Sequence, residues 1–126
     1  MPDLFDFGGE IVWRPSQDYI ENAHLTHFMR QHGIHDFDEL MRRSTEEVAW
    51  FTDAVLKYLD IRFHQPYTQV VDLSRGIRWP RWCVGGKMNI VHNCVDKYIG
   101  TPAENRPAMI WEGEEGKTRT LTYGEL

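Results

Sequence analysis

The chain has 126 residues, of which 41% are hydrophobic, 13% aromatic and 26% charged, a composition typical of one small folded domain or part of one. Its net charge of -5 and isoelectric point near 5.6 provide no basic surface, so we expect neither nucleic acid nor an anionic membrane as a partner. The first ten residues, MPDLFDFGGE, lack basic residues and a long apolar run, so we expect no signal peptide, no transmembrane helix and a cytoplasmic location.

The first predicted helix ends at Gly33. Asp18 and Glu21 have the three-residue spacing of a capping box, in which the first side chain caps the helix and the second reaches back. Asn22 and Thr26 lower the helix propensity and mark a point where the helix can break. Apolar residues follow at approximate helical spacing: Ile20, Leu25, Phe28 and Met29.

A short second helix is predicted after Asp36, because Asp36 and Glu39 repeat the capping spacing. Two arginines near its end complement the negative end of the helix dipole. The residues that define this helix are Phe37, Leu40, Met41, Arg42 and Arg43.

The third helix has the clearest pattern. Ser44 and Glu47 have capping-box spacing, and apolar residues then recur at intervals of three and four. Asp53 and Lys57 are placed to form an i,i+4 ion pair on this helix. Its apolar face is predicted to contain Val48, Phe51, Val55 and Leu59, widened by Ala54 and Leu56.

Residues 61 to 81 are predicted to form a connecting arm that lies over the domain surface. Pro66 and Pro80 limit regular structure at its two ends, whereas Val70 and Val71 favour a short strand between them. Residues 74–76, with the sequence Ser-Arg-Gly, favour a turn after that strand.

The stretch from residue 82 onward predicts a turn, a helix and a β-hairpin. The pair Gly85-Gly86 suits a turn or a close backbone approach, and Gly100 ends the helix that follows. One face of this helix is predicted to contain Met88, Val91, Cys94, Val95 and Tyr98. Alternation then changes to a period of two on both sides of a turn at residues 113–116, which predicts two paired strands that include Ala108, Ile110, Glu112, Leu121 and Tyr123.

The two cysteines, Cys83 and Cys94, are predicted to be free and buried. A single disulfide is improbable in a chain without a secretion signal, and Cys94 lies on the apolar face of its predicted helix. No base and orienting group accompany either thiol, so we expect no catalytic role for them.

Four other groups of residues suggest chemistry, and each has a simpler structural interpretation. Gly85-Gly86-Lys87 resembles the end of a phosphate loop, but the first glycine and the final hydroxyl residue are missing, which favours a structural turn. Two histidine pairs have the spacing of metal ligands, but two ligands do not close a zinc site. The acidic residues around the hairpin turn favour a solvated turn, and the aromatic residues without basic neighbours favour core and interface positions. These residues are His24, His27, His32 and His35; Glu112, Glu114 and Glu115; and Trp50, Phe51, Tyr58, Trp79, Trp82, Trp111 and Tyr123.

Thr122 and Glu125 have capping-box spacing once more, and Leu126 would be the first apolar residue of the helix that they begin. Because an isolated helix needs about 12 residues to be even marginally stable, we expect this chain to be part of a longer protein.

One run of residues resembles a known family. Residues 82–126 are similar to the N-terminal region of acetyl-CoA synthetase and related AMP-forming acyl-CoA synthetases, although Cys83, Met88, Val95 and Tyr98 depart from the usual family pattern. Residues 12–34 are similar to the N-terminal lead-in of acetoacetyl-CoA synthetases, so the resemblance covers roughly residues 11 to 126. The residues that carry it are Trp82, Gly85, Gly86, Asn89, Asn93, Cys94 and Asp96, followed by Ala108, Glu112, Gly113, Thr122, Tyr123, Glu125 and Leu126.

The resemblance implies an α+β piece, mostly helical at first and ending in a helix plus β-hairpin, that belongs to a larger α/β adenylate-forming enzyme. Residues 1–81 would be a helical lead-in and connecting arm, and residues 82–126 the start of the large N-terminal domain. The parent enzyme would use ATP, Mg²⁺ and CoA to convert a short carboxylate to its acyl-CoA through an acyl-adenylate. The catalytic, cofactor and metal residues would lie outside this chain, whose partner would be the remainder of the synthetase.

The alternative from a different class is a free-standing interaction or regulatory module, whose exposed aromatic residues would bind another protein. Such a module should end with a finished element of structure, which distinguishes it from a segment of a longer enzyme.

Overall fold

The computed structural model describes residues 11–126, so the expectation drawn from the first ten residues concerns positions outside this range. The chain divides into two compact units, Met1–Val48 and Ala49–Leu126. The first unit contains helices in its described part, and the second contains helices and two antiparallel hairpins. This confirms the predicted α+β class. The predicted division at residue 81 concerns the roles of the two parts in a larger enzyme and stays a prediction.

The first predicted helix is two helices, α1 (Gln17–Asn22) and α2 (His24–Gln31), separated by an extended Ala23. The predicted break is therefore confirmed, but Asp18 as N-cap is wrong. The helix begins earlier because Ser16 has an extended backbone and its hydroxyl accepts a hydrogen bond of 3.2 Å from the backbone N–H of Tyr19.

Helix α2 ends where predicted, because Gly33 adopts a left-handed conformation with φ of 64°. The N–H of Ile34 donates to the carbonyl of Met29 at 2.9 Å, and that of Gly33 donates to Arg30 at 3.3 Å. This pair of bonds is a Schellman motif, which satisfies the last carbonyls of a helix. Ile34 is buried directly after it, together with Phe28 and Leu40 of the first unit.

Helix α3 (Phe37–Glu46) begins as predicted, since the Asp36 carboxylate accepts a 2.8 Å hydrogen bond from the N–H of Glu39. Its end differs from the prediction. Ser44 does not cap the next helix, because its hydroxyl donates to the carbonyl of Met41 at 2.9 Å and the residue stays inside α3. Glu47 is the C-cap of α3 instead.

Helix α4 (Val48–Tyr58) confirms the third predicted helix. The expected ion pair is present, with 2.6 Å between Lys57 Nζ and Asp53 Oδ2. The packed centre of the helix is shifted from the prediction, because Ala54 is its buried residue and Val48 is exposed.

Two hairpins follow in the second unit. Strand β1 (Gln69–Asp72) pairs with β2 (Arg81–Val84), and β3 (Pro107–Glu112) pairs with β4 (Thr118–Thr122). The second hairpin and the short strand of the arm were both predicted, and both are confirmed. Strand β2 was not expected, because the residue before it is a proline and its four residues show no alternation.

The helix predicted around residues 88–98 is shorter than expected. Helix α5 (Ile90–Cys94) ends at Val95, whose φ of -131° and ψ of -68° are not helical, and a 3-10 turn at Asp96–Tyr98 follows. Gly100 has a φ of 74° just beyond, in line with its predicted role as a stop.

The last predicted capping box is partly formed. The backbone N–H of Thr122 donates to Glu125 Oε2 at 2.9 Å, and the N–H of Leu126 donates to the carbonyl of Thr122 at 3.1 Å. The bond from the Thr122 N–H, together with one from the Thr122 hydroxyl at 3.2 Å, lowers the pKa of the Glu125 carboxyl. Within residues 11–126, no helix has the length and apolar character needed to cross a membrane.

Candidate functional site

The loop after α4, in the second unit, is fixed by several hydrogen bonds from other parts of that unit. It begins with a second Schellman motif, in which Ile61 donates to Leu56 at 2.9 Å and Asp60 to Lys57 at 3.1 Å. Asp60 takes the left-handed conformation, with φ of 50°, that a glycine usually provides. The Lys97 ammonium then donates to the carbonyl of Asp60 at 3.1 Å, so a cation satisfies the negative end of the helix dipole.

Asn93 holds the next part of this loop from α5. Its side-chain oxygen accepts from the N–H of Arg62 at 2.7 Å, and its side-chain nitrogen donates to the carbonyl of the same residue at 2.9 Å. The nitrogen also donates to the carbonyl of Asn89 at 3.2 Å. Asn93 is the one buried polar residue of the described chain, with 6% of its surface exposed. The amide therefore pairs with a backbone much as a neighbouring strand would.

The loop after α4 and the start of α5 line a cleft of about 220 Å³. The lining residues are Arg62, Phe63, His64, Asn89 and His92. Arg62 is engaged with the carboxylate of Asp60, to which its Nε and Nη2 atoms lie 3.1 and 2.9 Å away. This hydrogen bonding lowers the pKa of the Asp60 carboxyl.

The chemistry of the cleft follows from these pairs. The Arg62 guanidinium is paired with the Asp60 carboxylate, and His92 Nδ1 lies 4.0 Å from Asp96 Oδ2. A general acid or base needs a group poised toward a substrate, and a nucleophile needs an adjacent base. Arg62 is instead engaged with Asp60, and the Asn89 side chain accepts a hydrogen bond from the N–H of Val91 at 2.9 Å, which favours a structural role for these two residues.

A second network joins α4 to the arm. The Tyr67 hydroxyl donates a hydrogen bond to Asp53, which also binds Lys57. The bond to Asp53 raises the pKa of Tyr67 to about 12, and the hydrogen bonds from Lys57 and Tyr67 lower that of Asp53. The phenol is therefore protonated and the carboxylate ionised throughout the neutral range, as suits a fixed structural contact.

The double glycine, Gly85-Gly86, is packed against the loop after α4. Gly85 has a φ of 77°, and a Cβ atom at Gly86 would lie 2.9 Å from the carbonyl oxygen of Cys83 and 3.0 Å from the ring of Phe63. The side chain of Gln65 donates to the carbonyl of Gly85 at 2.7 Å. These contacts support the predicted structural turn, because they explain both glycines without a bound phosphate.

The local structure keeps one predicted histidine pair on a single helix and separates the other. His24 and His27 lie on α2 and are exposed, whereas His32 is the C-cap of that helix and His35 lies beyond Gly33. Residues 11–126 contain no group of three or more His, Cys, Asp or Glu side chains placed to share a metal ion.

Both cysteines are free, as predicted. Cys83 is half-buried, but Cys94 is exposed, contrary to the prediction. The reason is that α5 ends at this residue, so the helical face expected to bury it is not continued.

The acidic residues of the second hairpin lie in solvent as expected, and Glu115 pairs with Lys117 at 3.0 Å. The predicted aromatic set is divided. Half-buried members are Trp50, Phe51, Tyr58 and Tyr123, whereas Trp79, Trp82 and Trp111 are exposed and are not core residues in this structure.

The family of the chain follows from comparison with known proteins. Residues 37–94, which include α3, α4, the first hairpin and α5, match the family model for the acetyl-coenzyme A synthetase N-terminus. Acetyl-coenzyme A synthetase from Chlorobaculum tepidum is 34% identical over 113 residues, which are 88% of this chain. The enzyme of the same name from Mycolicibacterium smegmatis is 31% identical over 116 residues, which are 91% of this chain. The chain is an N-terminal region of acetyl-CoA synthetase-like, AMP-forming acyl-CoA synthetases, as the sequence resemblance predicted.

A solved structure agrees. The acetoacetyl-CoA synthetase from Streptomyces lividans superposes with a TM-score of 0.73 and 25% identity over 89% of this chain. The match covers only 18% of that enzyme, and this chain spans 15% of the Chlorobaculum relative and 11% of the Mycolicibacterium one. This chain therefore corresponds to a small part of each of these three enzymes.

Sequence reasoning missed the role of Asn93 in the site. The residue was noted only as part of the family resemblance, and its burial could not be inferred from the helical pattern. The available signal was its position four residues after Asn89, which places both side chains on the same face of a helix.

Proposed function

We propose that this chain is part of an enzyme that joins a short carboxylate to CoA. The reaction would consume ATP in the presence of Mg²⁺, form an acyl-adenylate with release of pyrophosphate, and then transfer the acyl group to CoA with release of AMP. The observation that carries the proposal is the 34% identity over 113 residues with an acetyl-coenzyme A synthetase. The acetoacetyl-CoA synthetase match widens the proposed substrate class to short carboxylates in general.

Within that enzyme, we propose a non-catalytic role for this chain. Residues 1–81 would form the lead-in and connecting arm, and residues 82–126 the start of the large N-terminal domain. Support comes from the ionic groups of the second unit, which are engaged in structural contacts: Asp53 with Lys57, Asp60 with Arg62 and Asp72 with Arg81.

Two observations bear on where ATP, Mg²⁺ and CoA would bind in the proposed enzyme. The Gly85-Gly86 turn is filled by neighbouring atoms, and residues 11–126 hold no cluster of ligands for a metal. We therefore assign all three to the rest of the enzyme, which is also the proposed partner of this chain. A cytoplasmic location, where ATP and CoA are available, belongs to the same proposal.

The test is carboxylate-dependent exchange of pyrophosphate into ATP. It compares this chain with a chimeric protein in which the chain replaces the matching segment of the Streptomyces lividans acetoacetyl-CoA synthetase. We expect exchange by the chimera with at least one of acetate, propionate, butyrate and acetoacetate. We expect none by the chain alone, with a Kd for ATP weaker than about 1 mM. Exchange by the chain alone would contradict the non-catalytic role, and a folded chimera inert with every carboxylate would contradict the synthetase proposal.

A further inference from the structure

The second hairpin has two different faces. Residues directly opposite each other on paired strands share a face, so Met109 lies beside Leu121, and Trp111 lies beside Arg119. We call this face, which holds Met109, Trp111 and Leu121 together with the exposed Arg119, the apolar face. The other face carries Ile110 among polar residues, namely Glu112, Thr118 and Thr120.

The apolar face lies next to a packed contact between two tyrosine rings. Tyr123 follows Leu121 by two residues, and its ring lies 4.5 Å from that of Tyr98 between centroids. Leu121 is half-buried, and exposure then rises outward to 42% for Met109 and 52% for Trp111. The stripe thus begins at half-buried residues of the second unit and ends in solvent.

Trp111 is held in place although it is exposed. A Cβ atom at Gly113 would lie 2.7 Å from Cη2 of the indole, so the ring lies along the hairpin over the glycine. A large aromatic side chain that is already positioned loses little conformational freedom when another surface covers it. This is the character of an interface residue.

We propose that the apolar face is covered by the rest of the synthetase chain, an inference that rests on the proposed function. The length of the relatives supports this occupant. The same fold in the Streptomyces enzyme is 18% of its chain, so a much larger body of protein is attached to this region there. The opposite face, with Ile110 set among threonines and a glutamate, lacks a comparable stripe and stays in solvent.

Thiol labelling tests the proposal. Met109→Cys and Ile110→Cys are neighbours on opposite faces, and each is prepared in the chain alone and in the chimeric synthetase described above. Labelling by a small maleimide is followed by peptide mass spectrometry, with Cys83 and Cys94 as internal references. We expect the chimera to label about tenfold more slowly than the chain at position 109, and at a similar rate at position 110.

The outcomes separate the competing explanations. Equal labelling of both positions in a folded chimera would overturn the proposal. Slow labelling at position 109 in the chain alone, with a dimer in sedimentation velocity, would show that a second copy is the occupant and would also overturn it.

Two further results remain interpretable. If the chimera does not fold, cysteines at the aligned positions of the full-length Streptomyces enzyme decide the question by the same criterion. The proposed function is judged separately by pyrophosphate exchange. An inert chimera protected at position 109 contradicts the function but not the interface, and an active chimera labelled equally contradicts the interface alone.

Discussion

The two units of this chain use side-chain hydrogen bonds over very different distances in the sequence. In the first unit, Ser16 caps the N–H of Tyr19 and Asp36 caps that of Glu39, so the bonded residues are three positions apart. In the second unit, Asn93 binds the backbone of Arg62 from 31 positions away. Near-neighbour bonds define where a helix begins, whereas distant bonds define how elements are arranged. The second unit therefore depends more on a few individual side chains.

The largest expected effect is at Asn93. Replacement by Ala leaves the N–H and carbonyl of Arg62 without their partner in a partly buried place, which should lower the free energy of unfolding by about 2 to 4 kcal/mol. Urea denaturation measures the change. Asn89→Ala is the matched control, because its side chain makes an exposed cap at 2.9 Å to Val91 and should cost only about 1 kcal/mol. Equal losses for the two variants would show that the long-range contact has no special weight.

Gly86→Ala should have the next largest effect. The added Cβ would lie 2.9 Å from a backbone oxygen and 3.0 Å from the Phe63 ring, so we expect a loss of about 1 to 3 kcal/mol in the same experiment. Gly124→Ala provides the comparison. Its Cβ would approach Cγ of Glu104 at 3.0 Å, a side-chain atom that can shift by a rotamer change at the expense of the 2.9 Å hydrogen bond between the Glu104 carboxylate and the N–H of Gly100. If Gly86→Ala were as mild as Gly124→Ala, the close packing around the double glycine would not be rigid.

A smaller and more local effect is expected in the first unit. Asp36→Ala removes the N-cap of α3 and should cost about 1 kcal/mol. Hydrogen exchange should show faster exchange of the Glu39 amide, while the amide of Arg62 in the second unit keeps its protection. Asp38→Ala, in the first turn but not at the cap, serves as control. Loss of protection in both units would contradict the local nature of these bonds.

The smallest effect appears only in acid. Asp72 accepts hydrogen bonds from Arg81 and from the N–H of Ser74, which lower its pKa from 3.8 to about 2. Because the folded-state pKa lies below the unfolded one, this contribution to stability is present above about pH 4 and is lost as the pH falls through about 2. The urea midpoint of the natural chain should therefore fall over this interval more steeply than that of Asp72→Asn. Parallel curves would show that protonation of Asp72 does not change the stability of the fold.

The same contrast explains which parts of the structure were predictable. Helix α4, the stop at Gly33, the cap at Asp36 and the second hairpin follow from residues close together in the sequence, and the structure confirms them. Family resemblance identified the class of enzyme.

The errors arose where two local signals compete or where a distant residue decides. Ser44 has the chemistry of a cap, yet its hydroxyl is satisfied by the helix that precedes it. Asp60 ends α4 in a conformation usual for glycine, with help from Lys97, which lies 37 positions later. No local sequence pattern predicts the contact of Lys97 with Asp60 or the bond of Asn93 with Arg62, because the partners lie far apart in the sequence.

The separation between Asn93 and Arg62 also sets an order of events during synthesis of the protein. A ribosome adds roughly 5 to 20 residues per second, so the 31 residues from position 63 to Asn93 take roughly 2 to 6 s to make. The side-chain caps of α1 and α3 and the Schellman motif of α2 join residues only a few positions apart, so all of these partners are already made when Arg62 is added. The loop after α4, by contrast, waits for its amide partner with its backbone groups bonded to water. During this interval, the partners of the first-unit caps have all been made while the loop after α4 still lacks Asn93, and this open loop is where a chaperone or a protease would bind the nascent chain.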